Sequence, residues 1–184
     1  HVPLEAETLA PDALADLTHD EIRARPVNLG KRVLRLDELF DVEGEKSDEL
    51  VIHGDLRNVK WVGRQMSRGQ LTIHGPVGMH LGAYMRGGRI DVHGDSGEEM
   101  TGGLIHIHGN SGGQIGAAYR GSLRGMNEGT IIVDGTAGLE VGMRMRRGTI
   151  VIGGVCRDFA RLQMTGRHII VLSGGELRTG AWMM

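Results

Sequence analysis

The chain has 184 residues, carries a formal net charge of −2, and contains 31 glycines but only 3% aromatic residues. This length allows one domain with a small appendage, and the near-neutral charge provides no basic field of the kind that attracts nucleic acid. Because no apolar run approaches the roughly 18 residues of a membrane span and the single cysteine excludes a disulfide framework, we expect a soluble cytoplasmic protein without nucleic-acid or membrane partners.

The N-terminal segment, residues 1–48, does not repeat and is predicted to form a small cap of helical and irregular structure. Apolar side chains recur at near-helical spacing from Pro11 to Arg25. Pro26 must end any helix there, because the residue before a proline disfavours the α region. Residues 33–36 (VLRL) are compatible with a strand. We interpret the segment as a docking arm that also covers the end of the repeating fold, where strand edges would otherwise be unpaired.

Residues 49–184 repeat with a period near 20, and each period contains one short aliphatic run. Seven methionines mark the repeat, and four of the six intervals between them are 19 residues. A fixed period with one strand per unit is typical of a solenoid, in which each coil packs only on its neighbours. The methionines, which we expect to fill the core at a corner, are Met66, Met85, Met100, Met126, Met145, Met164 and Met183.

The aliphatic runs predict an inward-facing column of side chains. Because residues two apart in a strand share a face, aligning the runs on their closing position places Ile, Leu or Val at every inward position. This pattern predicts an all-β fold, a parallel β-helix of about seven coils with rungs about 4.8 Å apart. A glycine closes most runs, and we expect it to form a corner with positive φ. The inward pairs are Leu50/Ile52, Leu71/Ile73, Ile90/Val92, Ile105/Ile107, Ile131/Val133, Ile150/Ile152 and Ile169/Val171.

Two coils depart from the common length. The third, residues 94–100 (GDSGEEM), is too short to close like the others, and the fourth, residues 109–126, carries an extra loop. Insertions in a solenoid collect on one face, which is often the binding face, and tyrosine and arginine dominate interface hot spots. We therefore expect the loop to leave the solenoid surface and contact a partner subunit through Tyr119, Arg120, Ser122, Leu123 and Arg124.

A histidine ladder is predicted on the outward face, because four consecutive coils carry histidine just before the closing glycine. Neighbouring rings should lie about 4.8 Å apart. Parallel rings one rung apart do not converge on a tetrahedral ion, so we predict packing and no metal site, with a β-helix metalloenzyme as the alternative. His106 and Asp91, on adjacent rungs, are predicted to form a surface hydrogen bond. The ladder is His53, His74, His93 and His108.

Arginines follow several of the methionines and are predicted to lie along one corner. They form either a solvated corner or a stripe that binds the carboxylates of a partner or of a polyanionic cofactor tail through forked hydrogen bonds. No catalytic residue is assigned, because no Ser/His/Asp or Cys/His order is recognisable and no glycine motif opens a helix after a strand, as nucleotide binding requires. The arginine stripe comprises Arg68, Arg86, Arg144, Arg146 and Arg147.

Three strings carry a resemblance to a known family. Residues 54–82 (GDLRNVKWVGRQMSRGQLTIHGPVGMHLG), 116–142 (GAAYRGSLRGMNEGTIIVDGTAGLEVG) and 145–154 (MRRGTIVIGG) resemble the C subunit of formylmethanofuran dehydrogenase. They resemble even more its bacterial counterpart in the formyltransferase/hydrolase complex. The resemblance covers roughly residues 26–184. The short third coil and Arg161, where a corner glycine would be expected, depart from it. Only three of the 21 basic residues are lysines, a composition that favours the bacterial version.

The resemblance implies a right-handed parallel β-helix that is a non-catalytic scaffold beside an amidohydrolase-like subunit and a formyltransferase subunit. The bacterial complex moves a formyl group between tetrahydromethanopterin and a methanofuran-type carrier and releases formate, in one-carbon metabolism. This chain alone is expected to bind no cofactor. The alternatives are the C subunit of an archaeal-type molybdenum or tungsten formylmethanofuran dehydrogenase, a glycine-repeat structural domain similar to that of glutamate synthase, and the β-helix metalloenzyme mentioned above.

Overall fold

The aliphatic runs fold into short strands that stack as a β-solenoid, and the non-repeating N-terminal residues pack at one end of it. The computed structural model describes residues 2–97, 100–119, 121–158, 164 and 168–175. Three residues considered above, Arg120, Arg161 and Met183, lie outside the described residues. In the part of the chain that is described, no helix is long and apolar enough to cross a bilayer.

The N-terminal residues form, in chain order, β1 (Leu4–Glu5), α1 (Pro11–Leu14), α2 (His19–Arg23), β2 (Pro26–Leu29), β3 (Arg32–Arg35) and a 3₁₀ turn (Leu36–Glu38). The predicted helical stretch is therefore divided in two. Thr18 starts α2 as its N-cap: its hydroxyl accepts a hydrogen bond from the Glu21 amide, and its own amide donates to the Glu21 carboxylate. This reciprocal capping box satisfies two otherwise unpaired amides and so favours a new helix start at this point.

The repeating residues contribute one main strand per coil. Seven such strands pair in chain order as one parallel sheet, and their register aligns the inward positions of the runs, for example Ile73 with Val92 and Val92 with Ile107. In chain order the strands are β4 (Glu49–His53), β5 (Val59–Lys60), β6 (Gln70–His74), β7 (Arg89–Val92), β8 (Leu104–Ile107), β9 (Thr130–Val133), β10 (Thr149–Ile152), β11 (Val155–Cys156), β12 (His168–Val171) and β13 (Gly174–Gly175), of which β5, β11 and β13 lie outside the seven-stranded sheet.

The inward column predicted from the strand pattern is confirmed as the core. Ile107 and its neighbours Val92 and Val133 are fully shielded from solvent. The column is partly exposed only at its two ends, at Leu50 and Val171. The repeat-marking methionines among the described residues are buried beside it. Stacked aliphatic side chains thus fill a narrow core, which explains why the chain folds with so few aromatic residues.

The N-terminal residues complete the edge of the first coil. Strand β1 pairs antiparallel with β2 and parallel with β5, and the Leu9 carbonyl accepts a hydrogen bond from the Gly63 amide (2.8 Å). The Asp12 carboxylate accepts two more, from the amide and the hydroxyl of Ser67, each at 2.7 Å. Ala6 and Leu9 are buried in the same core as the coils. The first coil therefore does not present an open edge on this side, which would invite pairing with other chains.

Most of the closing glycines are needed for close backbone approach between coils and not for positive φ. Positive φ occurs at Gly54 (135°) and Gly75 (148°) but not at the four closing glycines that follow, so the expectation was wrong for those four. At Gly154, a Cβ would lie 2.7 Å from the carbonyl carbon of Gly135 in the preceding coil. These positions require glycine because the backbones of neighbouring coils approach closely. Left-handed backbone is found instead at the next glycine column, for example at Gly82 (φ 60°).

The short third coil changes how the second and fourth coils meet. In a coil of ordinary length, the glycine of this left-handed column donates its amide hydrogen to a carbonyl of the preceding coil. The acceptor is the residue just before the matching glycine, as when the Gly82 amide donates to the carbonyl of Val62 (2.9 Å), which precedes Gly63. Gly116 of the fourth coil donates instead to the carbonyl of Met100 (2.7 Å). The third coil thus takes a shorter path to its methionine, which leaves room on that corner for side chains of the coils on either side.

Candidate functional site

Four rings from three coils meet at one corner of the solenoid and form what we name the aromatic cluster: Trp61, His80, Tyr84 and Tyr119. Trp61 and His80 stack with ring centroids 4.0 Å apart and planes 10° apart. The Tyr119 ring, from the fourth coil, lies 5.1 Å from that of Tyr84 and 5.7 Å from that of His80. Alternate rungs of a solenoid are roughly 10 Å apart, so this contact depends on the shortened third coil.

The backbone of the aromatic cluster is held in an uncommon conformation. Trp61, His80 and Tyr84 have φ values of 68°, 65° and 58°, in the left-handed region, which costs a residue with a Cβ about 1–2 kcal/mol. Stacking of successive corners maintains it, since the Gln65 amide donates to the Ala83 carbonyl of the next coil (2.8 Å). Residues kept in such conformations by their surroundings cluster at binding sites, which makes this corner a candidate contact surface.

The aromatic cluster carries one positive charge beside it, on Arg64, and its imidazole, that of His80, is kept neutral. The Arg64 guanidinium lies 5.0 Å from the Trp61 ring centroid and forms an ion pair with Glu7 of the N-terminal segment. Burial lowers the pKa of His80 below its usual 6.5, and the positive charge of Lys60 lowers it further. The corner therefore offers neutral ring faces beside a cation, the combination that is enriched where proteins bind one another.

Only part of the predicted partner-contact loop leaves the solenoid surface. Tyr119 is half-buried within the aromatic cluster, whereas Leu123 is 75% exposed and Arg124 is also exposed. Ser122 closes the loop: its carbonyl accepts a hydrogen bond from the Arg144 guanidinium (3.1 Å), and its hydroxyl accepts one from the Arg124 amide (3.1 Å). The loop is thus fastened at its base, with an apolar and a cationic side chain facing solvent.

The arginine stripe is two groups and not a continuous row. The third and fourth coils carry Thr101 and Asn127 after their methionines, which separates the arginines by about three rungs, roughly 14 Å. In the first group, Arg68 approaches Asp16 of the N-terminal segment (3.6 Å) while most of its side chain stays exposed. Each group can therefore bind a separate carboxylate. The first group is Arg68 with Arg86, and the second is Arg144 with Arg146 and Arg147.

The histidine ladder forms as predicted. Ring centroids of successive members lie 4.7, 4.8 and 4.6 Å apart, and their planes are within 16° of parallel. Its rings therefore pack face to face along the exposed side of the sheet, from His53 on β4 to His108, which follows β8.

His106 does not form the predicted hydrogen bond with Asp91, because the nearest atoms, His106 Nδ1 and Asp91 Oδ1, are 3.9 Å apart. Asp91 is buried and accepts hydrogen bonds from the Arg89 guanidinium, one of them at 2.7 Å, and these chiefly hold its pKa below the usual range. His106 Nε2 lies instead 2.8 Å from Asp134 Oδ1, and His108 Nδ1 lies 3.0 Å from Asp134 Oδ2. These two contacts, that of His106 first, lower the pKa of Asp134.

The sequence does not predict the aromatic cluster or the contacts of Asp134, because each of them joins residues from different coils. The extra loop predicts a contact through Tyr119, but nothing local in the sequence pairs Tyr119 with Trp61 or His80, which lie 58 and 39 positions earlier. Asp134 ends the run after β9 at the place where earlier coils have the ladder histidines. That alignment was the one available signal, since it extends the ladder by a carboxylate.

Comparison with known proteins identifies C subunits of formylmethanofuran dehydrogenases as relatives. No family model matches the chain. The chain is 38% identical over 87 residues to the C subunit of tungsten-containing formylmethanofuran dehydrogenase 2 from Methanothermobacter marburgensis, a match that covers 45% of this chain and 32% of that protein. It is 42% identical over 83 residues to the C subunit of molybdenum-containing formylmethanofuran dehydrogenase 1 from Methanothermobacter thermautotrophicus, covering 44% of this chain and 21% of that protein. The chain thus spans about a third or less of the length of these curated relatives.

A solved structure matches over nearly the whole chain. It is a chain of the crystal structure of the formyltransferase/hydrolase complex from Methylorubrum extorquens in complex with methylofuran. The TM-score is 0.81 at 28% sequence identity, and the match covers 95% of this chain and 74% of that chain. The likeness therefore includes the cap and the coils together, beyond the stretch matched by the curated relatives.

Proposed function

Because this chain is similar to formylmethanofuran dehydrogenase C subunits and to a chain of a formyltransferase/hydrolase complex, we propose that it is the non-catalytic scaffold subunit of such a complex. That complex moves a formyl group between tetrahydromethanopterin and a methanofuran-type carrier and releases formate. The observation that carries the proposal is the match over 95% of this chain to a chain of such a complex. The chemistry is then performed by a formyltransferase subunit and an amidohydrolase-like subunit, which the solenoid holds together.

The described surface supports a scaffold role through its contact features. We assign the main partner contact to the aromatic cluster with the adjoining loop, where Leu123 and Arg124 are exposed beside Tyr119. Tyrosine, tryptophan and arginine supply most hot spots because they combine large apolar area with hydrogen bonds. Residues 1–48 serve as the cap and docking arm in this proposal. The two arginine groups are assigned to carboxylates of partner subunits or of the carrier's anionic tail, each bound through forked hydrogen bonds.

A second candidate function is the C subunit of an archaeal-type molybdenum or tungsten formylmethanofuran dehydrogenase. It is favoured by the identity of 38–42% with such subunits from Methanothermobacter. The two candidates differ in the subunits that assemble with this chain. A dehydrogenase requires a molybdenum- or tungsten-containing subunit, whereas a formyltransferase/hydrolase complex does not.

Affinity purification of the chain from its native cells, followed by mass spectrometry and a formate-release assay, tests both candidates. We expect formyltransferase and amidohydrolase-like subunits to copurify, formate to be released by the assembly, and no release by the chain alone. Copurification of a molybdenum or tungsten protein would establish the second candidate in place of the first. Turnover by the isolated chain at a rate comparable to that of the assembly would overturn the scaffold role in both.

A further inference from the structure

Four side chains on the outward face of β7 to β9 form a second site, which we name the His–Asp cluster: Asp91, His106, His108 and Asp134. His106 and His108 are two residues apart, so they share a face, and stacking adds one carboxylate from the coil on either side. Asp91, His106 and His108 each offer a ligand atom within 4.8 Å of the others. The cluster is partly shielded from solvent, with Asp91 buried and His106 only 22% exposed.

In the His–Asp cluster the two imidazole rings contact one shared carboxylate, whereas the ladder rings only stack on one another. The two imidazoles are tilted by 42° with centroids 3.9 Å apart, and one nitrogen of each points at the same carboxylate, at 2.8 and 3.0 Å. In the stacked ladder the rings are nearly parallel, so their in-plane lone pairs run side by side. Each ring contacts a different oxygen of that carboxylate, so both imidazoles reach a single ion once the carboxylate turns to present one oxygen, or both together, to the two nitrogens.

The donor atoms suit a divalent transition metal. Two neutral imidazole nitrogens and one carboxylate are a common ligand set for Zn²⁺, with bonds of about 2.0–2.2 Å and a further position left for water. Tetrahedral bonds of that length place ligand atoms roughly 3.4 Å apart, so His106 and His108 need to separate from Asp134 by only about half an ångström. Asp134, which is 48% exposed, has the freedom to make this movement.

Asp91 completes the arrangement as a positioning residue. Its Oδ1 lies 3.9 Å from His106 Nδ1, the ring nitrogen that does not face Asp134, and this contact becomes a hydrogen bond when the ring moves toward Asp91 by about half an ångström. Metal-binding histidines usually donate their second N–H to a carboxylate, which fixes the tautomer and the ring orientation. Arg89 holds Asp91 in place through two hydrogen bonds.

We propose that His106 Nε2, His108 Nδ1 and the Asp134 carboxylate bind one divalent transition-metal ion, Zn²⁺ by this donor set, on the outer face of the solenoid, with Asp91 orienting His106. This site is independent of formyl transfer. It ties the third, fourth and fifth coils together at the place where the third coil is shortened. The metal-free packing that we predicted for the ladder still applies to His53 and His74, which lie on coils whose strands bring no carboxylate to this cluster.

Zinc binding by the untagged, full-length chain tests the proposal. After chelation and dialysis, the chain should bind about one Zn²⁺ by calorimetry and elemental analysis. Asp134→Asn and His106→Gln should each weaken binding more than about tenfold, and Asp91→Asn by about 10–100-fold. The matched control is His53→Gln, a ladder histidine on the same face, which should bind as tightly as the unaltered chain.

A second readout does not depend on affinity. Co²⁺ in place of Zn²⁺ should give the visible absorption of a tetrahedral nitrogen–oxygen site, and Asp134→Asn should change that spectrum while His53→Gln leaves it unaltered. Circular dichroism confirms that each surface variant is folded. The proposal is overturned if the folded chain takes up no Zn²⁺, if Asp134→Asn binds as before, or if His53→Gln abolishes binding, because the last result would assign the metal to the ladder.

Discussion

At the residue scale, His80 shows how a single side chain responds to coil stacking. Its ring is stacked on Trp61 of the preceding coil and contacts Tyr119 of the fourth coil. Burial between these rings disfavours the charged imidazolium, so the pKa of His80 falls below 6.5, with Lys60 as the second cause. The folded state therefore prefers neutral His80. Its contribution to stability is present above pH 6.5 and is lost as the pH falls through the lowered pKa of the folded state.

We predict that His80 titrates below 6.5 in the folded chain. The measurement is an NMR titration of the imidazole resonances, with His80→Phe used to assign the peak. Lys60→Met should raise the midpoint part of the way, because it removes the smaller cause and leaves burial in place. A midpoint at or above 6.5 in the unaltered chain would show that the ring is not shielded as described.

At the element scale, the strands and the corners have separate requirements. Each main strand buries alternate aliphatic residues in a shared column, and each later closing corner needs a backbone without a Cβ. The first requirement comes from desolvation of apolar side chains, and the second from contact between backbones of neighbouring coils. Substitutions at the two kinds of position should therefore fail for different reasons.

Replacement of Ile107 by Asp should lower the free energy of unfolding by about 3 kcal/mol or more, because it places an unpaired charge in the fully buried column. The matched control is Val51→Asp at an outward strand position that is 53% exposed, where we expect a change within about 0.5 kcal/mol. Urea unfolding followed by circular dichroism gives both values. Equal losses in the two variants would contradict the placement of Ile107 in the inward column and of Val51 in the outward one.

Replacement of Gly154 by Ala should cost about 1–3 kcal/mol through overpacking. The added methyl group would lie 2.7 Å from both the carbonyl carbon and the carbonyl oxygen of Gly135, and backbone atoms cannot move aside without displacing the coil. Gly174 is the control, since a Cβ there meets nothing within 4 Å. Thermal unfolding of the two alanine variants should differ accordingly, and similar melting temperatures would contradict close backbone approach as the reason for the glycine column.

At the scale of the whole molecule, the unequal coils complement one another. The third coil is shorter than the others, and Tyr119 of the longer fourth coil reaches across it to the rings of the first and second coils. The same shortened region carries the His–Asp cluster on the main sheet. The two irregular coils thus produce the two most chemically distinctive surfaces of the described chain, while the regular coils supply a uniform support.

Replacement of Tyr119 by Ala should weaken assembly with the partner subunits by about tenfold or more, which corresponds to about 1.4 kcal/mol. The chain should remain folded, because the inward column is untouched. Leu139→Ala is the control, since Leu139 is 50% exposed but lies outside the aromatic cluster. Pull-down titrations with the copurified subunits compare the variants. If Tyr119→Ala assembles as tightly as Leu139→Ala, the partner contact lies elsewhere on the surface.

The sequence alone was sufficient for the features that depend on local alternation and on a constant period. The inward column, the buried methionines and the stacked ladder from His53 to His108 follow from residues that recur at matching places in each coil, so stacking in register was enough to predict them. The resemblance to formylmethanofuran dehydrogenase C subunits could also be recognised, because the strings that carry it occur at fixed positions in the coils. The reason is physical: in a solenoid each residue's neighbours are its counterparts one period away.

Only the tertiary structure decided which residues come into contact at the coils whose length departs from the repeat. A shortened coil changes which corners become neighbours, so the contact of Tyr119 with His80 could not be found from spacing. His106 pairs with Asp134 and not with Asp91, because Arg89, on the same strand as Asp91, already donates hydrogen bonds to the Asp91 carboxylate. The closing glycines likewise proved to be needed for close backbone approach, a distance between coils that no single coil's sequence specifies. Competition among neighbours for one partner, and the spacing of backbones across coils, are properties of the folded chain alone.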